Sequence, residues 1–330
     1  MTALHPLRFH PILQSYVWGG QRLGTVLHKP IDEGHSWAES WEVCDLGVQQ
    51  SLVAAGPLAG RSLAQLVAEF GKELLGKHCS LKQFPLLLKF LDAKQSLSVQ
   101  VHPDDAYAGK LDPPQLGKTE CWVVLEAEPD SKIYAGLKPG VDRTTLEAAI
   151  SDGRCQDCLN ETRPSLGDCY FLPAGTAHAL GAGLLVAEIQ QSSGVTYRLF
   201  DWNRLGPDGR PRPLHIEQAL DVIDFNRGPV VPQRPQPTNG SDRSRLVECE
   251  YFGVERWDFD TPQSIGGDDR CHILCVIEGS VRVEGDPADL PLAKGGTMLL
   301  PAALGKTRLT PQGQTTLLIY DSMLTRRCES

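Results

Sequence analysis

The sequence predicts a mainly β protein assembled from two copies of one β unit, with a few helices attached to the first copy. Three observations carry this. Short runs rich in Val, Ile and aromatic residues, bounded by Gly, Pro or Asp, recur along the chain. A Pro- and Gly-rich stretch at 228–244, almost without periodic apolar signal, divides them. The segment GDCYFLPAGTAHAL (167–180) is echoed by GGTMLLPAALGKTRL (295–309), each with a Gly-led turn, a short apolar strand ending in Pro, and a small-residue loop.

In order, the strand-like runs before the divide are LSVQVH (97–102), CWVVLEA (121–127), KIYAGL (132–137), CYFLP (169–173), LLVAEIQQ (184–191) and VTYRLF (195–200). Helical patterns occupy 62–76, 143–153 and 215–224. The first carries a stripe at Leu63, Leu66, Val67 and Phe70, and the second opens on Asp142 as a capping residue. After the divide come CHILCVIEG (271–279), SVRVEG (280–285), GTMLLPAA (296–303) and TTLLIYD (315–321). The implied organisation is a first domain over 1–228, a linker over 229–244 and a second, metal-free domain over 245–330.

Composition bounds the function. At 330 residues, 41% hydrophobic and 22% charged, the chain reads as globular. A net charge of −9 argues against a general binder of nucleic acid or membrane surface. No segment approaches the roughly 18 apolar residues of a membrane helix, and MTALHPLRFHPILQ lacks a signal-peptide layout, so the cytoplasm is the expected location. The ten cysteines are expected as reduced, mostly buried side chains. The one C-x-x-C, Cys155 to Cys158, has no second pair to complete a four-cysteine zinc site.

Three segments bear the chemistry. In LSVQVH alternate residues share a face, so Ser98, Gln100 and His102 point one way and Leu97, Val99 and Val101 the other. In GKTECWVVLEA (117–127), Glu120 stands at the mouth of a strand that then turns apolar. His178 lies in a loop of Gly, Thr and Ala, with room for a ligand. Each alone better suits an ordinary structural or solvated polar residue. Together, two imidazoles, a carboxylate and an amide oxygen make a first shell for one divalent ion with an open position, favouring zinc or a neighbouring first-row metal.

These segments resemble the type I mannose-6-phosphate isomerase family, in its short bacterial form. FPLLLKFLDAKQSLSVQVHPDD (84–105) is similar to its central signature. The likeness extends to Trp18-Gly19-Gly20, AESWEV (38–43), GKTECW, PAGTAHAL and QQSSGVTYRLFDWNR (190–204). The resemblance implies a double cupin, two β jelly rolls in tandem, with one Zn2+ per chain in the first. It implies Gln100, His102, Glu120 and His178 as zinc ligands, and Lys118 as a proton carrier with a pKa lowered by zinc and burial. Arg198 would lie near the substrate, with Ser98 and Lys89 at its phosphate end. Where the family commonly has an aspartate four residues before the arginine, this chain has Gly194: either that acid is not essential, or Glu188, counted among the substrate-binding residues, or Asp201 serves nearby, or activity is altered.

The implied reaction interconverts mannose 6-phosphate and fructose 6-phosphate through an enediol, with a small phosphorylated sugar as partner and a monomer or weak homodimer as assembly. Two rivals stand beside it: a cupin that binds sugar phosphates without turnover, for which Gly194 argues, and an iron cupin oxygenase, against which Gln100 as a fourth ligand argues.

Overall fold

A computed structural model of the chain describes residues 3–206, 209–238 and 242–323. The strands of the first half are β1 (Ile12–Gly20), β2 (Trp37–Val43), β3 (Leu86–Ala93), β4 (Val99–Val101), β5 (Glu120–Ala127), β6 (Ile133–Leu137), β7 (Leu159–Thr162), β8 (Cys169–Leu172), β9 (His178–Leu180), β10 (Leu184–Gln191) and β11 (Tyr197–Phe200). One sheet runs β1-β2-β3-β10-β5-β8 and the other β11-β4-β9-β6-β7. The chain is a double cupin, and this is its first jelly roll.

Alternation along each strand decides what enters the space between the sheets. In β5, Trp122 and Val124 join Leu91, Val186, Ile133 and Leu180 in the inner cluster. Cys121 and Val123 point the other way, into a cluster shared with the second half of the chain. The centre of the β1–β8 sheet is thus buried on both faces, and β3, β5 and β10 carry long apolar runs.

The polarity of β4 is reversed. Val99 and Val101 are buried on the outside of the roll, against Leu146 and Ile150 of a helix over Arg143–Ser151 and Leu220 of one over Ile216–Val222. Covering the outer face lets Ser98, Gln100 and His102 turn inward. Asp142 caps the first of these helices, accepting from the Thr145 N–H at 2.8 Å. The longer helix over Leu63–Leu75 begins with a reciprocal capping box between Ser62 and Gln65.

The second half repeats the connectivity. Arg243–Glu248, Phe252–Phe259, Thr315–Ser322, His272–Glu278 and Thr297–Leu300 follow one another across a sheet as β2, β3, β10, β5 and β8 do. The sheet of Gln263–Ile265, Thr307–Pro311, Ser280–Val283 and Leu292–Ala293 matches β4, β9, β6 and β7. Leu172 pairs with Glu120 in the first copy and Leu300 with His272 in the second, so His272 stands where Glu120 does. Its Nε2 lies 2.9 Å from Asp268 Oδ1.

The Pro- and Gly-rich stretch between the halves is bonded to the first. Val230 N donates to Ala135 O, and Gln233 N donates to Cys169 O on the edge strand β8. Cys79 is disulfide-bonded, which departs from the expectation of ten reduced cysteines. No helix among the described residues is long and apolar enough to cross a membrane.

The two halves share one apolar cluster, with Phe84, Leu88 and Cys121 from the first and Phe252, Ile273, Leu318 and Tyr320 from the second. Leu7 extends the second half's sheet, exchanging two backbone bonds with Leu299 at 2.8 and 2.9 Å. A buried ion pair of the first half makes hydrogen bonds across the same boundary. Lys29 Nζ meets Glu42 Oε2 at 2.6 Å and Gly295 O at 2.7 Å, while Thr297 Oγ1 donates to Glu42 Oε2 at 2.9 Å. Removing one partner strands a buried charge. Lys29→Met is therefore expected to lower unfolding stability by about 3–5 kcal/mol in urea titration, and a Lys29→Met/Glu42→Met pair to recover much of it. A single-variant loss below about 1 kcal/mol, the size of an exposed pair, would contradict this account.

Candidate metal centre and substrate cavity

The inward faces of β4, β5 and β9 meet at one end of the first roll. Register places His178 opposite Gln100 across β9 and β4. Glu120 opens β5, with Trp122 two residues on, whose ring stands edge-on to His178 at 5.3 Å. Donor atoms of His102, Glu120 and His178 all lie within 4.8 Å of one another, and all three residues are buried.

Each imidazole is oriented from behind. His102 Nδ1 lies 2.9 Å from Val195 O and His178 Nδ1 2.9 Å from Thr176 O, so the Nδ1–H donates to the carbonyl and Nε2 carries the lone pair. His178 Nε2 approaches Glu120 Oε1 at 3.1 Å and His102 Nε2 approaches Glu120 Oε2 at 3.5 Å. These are encounters between acceptors, and Glu120 Oε1 has no hydrogen-bond donor among the described residues. Such a cluster calls for a cation at its centre. The Gln100 amide is 3.4 Å from His178 Nε2, and a half-turn about its last bond presents Oε1 to the same point. Two neutral imidazoles, a carboxylate and an amide oxygen fit a divalent first-row metal.

Lys118 provides positive charge beside this set. Its Nζ donates to Glu120 Oε2 and, at 3.0 Å, to His102 Nε2. Burial, then the Lys118 charge, pulls the His102 imidazole down to about 3, keeping it neutral as a ligand must be. Burial works against the charge on Glu120, but Lys118 overrides it and holds the carboxyl well below its usual range.

The ligands open onto a cavity of about 220 Å³ whose walls include Ser98, Gln100, Lys118, Lys89, Glu188 and Arg198. All nine sequence-predicted site residues thus converge on one place. Lys89 lines this cavity and is ion-paired there. Its ammonium lies 3.5 Å from Glu39 and 3.3 Å from Glu188 and over the Trp41 ring at 4.9 Å. Although burial opposes its charge, the two carboxylates hold it protonated. Its charge is shared with two carboxylates at the cavity wall.

Of the two acids near the Gly194 position, Asp201 is engaged by Arg204 and Arg212. Glu188 faces the cavity, accepting from Trp122 Nε1 at 2.8 Å, while its Oε1 lies 3.3 Å from the Lys89 ammonium. Sequence reasoning missed Glu39, Tyr16 and Arg212 in the lining. Glu39 had a signal, since it shares the inward face of WAESWEV with Trp41, whose Nε1 donates to it at 2.6 Å. Arg212 had none beyond the local excess of arginines in NRLGPDGRPRP. A larger cleft of about 620 Å³ lies between the halves, but its cations are already paired, Arg22 with Asp92, Arg256 with Asp258 and Lys294 with Glu278.

Fold and site define a double cupin with a candidate metal centre in its first roll. Comparison with known proteins gives the family. Residues 7–120 match the family model described as phosphomannose isomerase type I, catalytic domain, and residues 242–319 that described as mannose-6-phosphate isomerase, cupin domain. The chain is 34% identical over 313 residues to mannose-6-phosphate isomerase ManA of Bacillus subtilis, covering 92% of this chain and 95% of that one. It is 33% identical over 296 residues to a mannose-6-phosphate isomerase of Streptococcus mutans, covering 90% and 92%. A crystal structure of the Bacillus subtilis mannose 6-phosphate isomerase superposes with a TM-score of 0.87 at 32% identity, covering 96% of this chain and 99% of that one. The chain belongs to the type I phosphomannose isomerase family.

The ligand geometry yields a direct test. Purified protein is expected to carry about one equivalent of divalent metal by elemental analysis. His178→Ala should lose most of it while keeping the parent's circular dichroism. Full retention in that variant would remove His178 from the centre.

Proposed function

We propose that this chain is a zinc-dependent aldose–ketose isomerase acting on mannose 6-phosphate and fructose 6-phosphate. The observation that carries the reading is the closing together of His102, His178 and the unsatisfied Glu120 oxygen at the end of a cavity lined by Lys118, Glu188 and Arg198. Isomerisation takes a proton from C2 of the open-chain aldose and returns it at C1 of an enediol, so no atoms or electrons are gained from outside. A zinc ion held by Gln100, His102, Glu120 and His178 would supply Lewis-acid stabilisation of the developing oxyanion. Lys118, which donates to the Glu120 carboxylate and lines the cavity beside His102, is placed to carry the proton between the two carbons.

Glu188 lines the same cavity, and Lys89 holds it in place through the pairing described above. We assign it the role of the acid that Gly194 cannot supply. Arg198 is paired across the sheet with the ligand Gln100, one strand from the metal, and receives the charged end of the substrate together with Ser98. The N2O2 donor set, with its amide oxygen, favours this reading over a two-histidine, one-carboxylate iron site.

A coupled assay for conversion of mannose 6-phosphate to fructose 6-phosphate tests the proposal. Turnover should vanish with chelator and return with zinc. Lys118→Met should depress kcat by about 100-fold or more with metal content unchanged, in the range expected for loss of a general acid–base group. Parent-like kcat in that variant would exclude Lys118 as the proton carrier.

A further inference from the structure

The wall of the cavity opposite Lys89 is built by arginines with too few acids to answer them. Arg204, Arg212 and Arg198 surround one carboxylate, Asp201. Arg212 grips it with two nitrogens, Nε to Oδ2 at 2.7 Å and Nη2 to Oδ1 at 2.6 Å. Arg204 Nη2 shares Oδ1 at 2.5 Å, and its Nη1 is spent on Ser96 O at 2.8 Å. Arg198 makes no ion pair among the described residues. It donates through Nη1 to Pro213 O at 2.8 Å, and its Nε is buried without a hydrogen-bond partner among the described residues. Burial, and then the nearness of Arg212, disfavours the charged form of Arg198, a cost that an anion bound between them would relieve.

Of these three, Arg198 and Arg212 line the substrate cavity, with Ser98 beside them. A guanidinium that grips a carboxylate through Nε and one Nη2 hydrogen still has three donors to offer. Three guanidiniums and one carboxylate leave about two positive charges in excess, the charge of a phosphate monoester near neutral pH. The opposite wall, where Glu39 and Glu188 flank Lys89, carries the reverse imbalance and repels an anion.

We propose that Arg212, oriented by Asp201, is the second cation of a two-arginine clamp with Arg198 on the substrate phosphate, and so determines the preference for phosphorylated over free sugar. The inference rests on the isomerase reading for the substrate's identity, and on the charge arrangement alone for the anion. Arg212 is a binding residue, and Asp201 positions it.

The test combines steady-state kinetics with competitive inhibition by inorganic phosphate, on metal-loaded parent, Arg212→Ala and Arg212→Lys. Loss of one charge-assisted contact should raise both KM for mannose 6-phosphate and Ki for phosphate roughly 10–100-fold in Arg212→Ala. With kcat within about threefold of the parent, this is the signature of lost binding rather than lost chemistry. Arg212→Lys should recover part of both constants, which a purely structural role would not require, and it keeps the test open if the alanine variant folds poorly. Parent-like KM and Ki in the variants, or a fall in kcat with both constants unchanged, would overturn the clamp. If the parent does not isomerise mannose 6-phosphate, yet phosphate affinity measured by calorimetry falls in Arg212→Ala, the clamp stands and the isomerase reading fails.

Discussion

The structure turns on one requirement: two imidazole nitrogens and a carboxylate are held together, away from water, with their lone pairs facing inward. Left to themselves these acceptors repel, and a buried charge without compensation is among the costliest arrangements a fold can hold. The rest of the first roll is organised to keep them there. Val195 and Thr176 carbonyls fix the imidazole tautomers from behind. The helices over Arg143–Ser151 and Ile216–Val222 cover Val99 and Val101, so that β4 can turn its polar face inward. The second half covers Cys121 and Val123, the outward side of the strand that begins with Glu120. Its contribution to the site is therefore exerted through burial, since its own counterpart of Glu120 is His272, turned to Asp268.

Charge is distributed along the cavity with equal purpose. At the closed end Lys118 stands beside the ligands, where the chemistry is proposed to occur. On one wall Lys89 sits between Glu39 and Glu188, which leaves a net acid facing the cavity. On the other, Arg198 and Arg212 outnumber Asp201. A neutral sugar ring with hydroxyl donors and one anionic end suits this polarity. The reverse orientation would put phosphate against two carboxylates.

Much of this was legible in the sequence, and for physical reasons. The two-residue period of LSVQVH puts Ser98, Gln100 and His102 on one face whatever surrounds the strand. The echo of GDCYFLPAG in GGTMLLPAA corresponds to equivalent edge strands, because the same turn and strand chemistry serves the same place in both rolls. The limits are equally physical. The strands over Arg243–Glu248 and Phe252–Phe259 mix Arg, Glu and Gly with their apolar residues, and no run announces them. The employment of Lys89 depends on Glu39 and Glu188, brought to it from neighbouring strands on either side, a contact that no spacing along the chain encodes. Arg212 follows a Pro-rich bend and reaches the cavity only because Asp201, eleven residues earlier, holds its guanidinium.

The proposed ligands are tested most directly by what surrounds a bound zinc ion. X-ray absorption at the zinc edge of the zinc-loaded protein measures this without reference to activity. The account predicts a shell of nitrogen and oxygen alone at about 2.0–2.2 Å, with the outer-shell pattern of imidazole rings weakened in His102→Ala. A sulfur scatterer near about 2.3 Å would instead place the ion on cysteine and contradict the central claim.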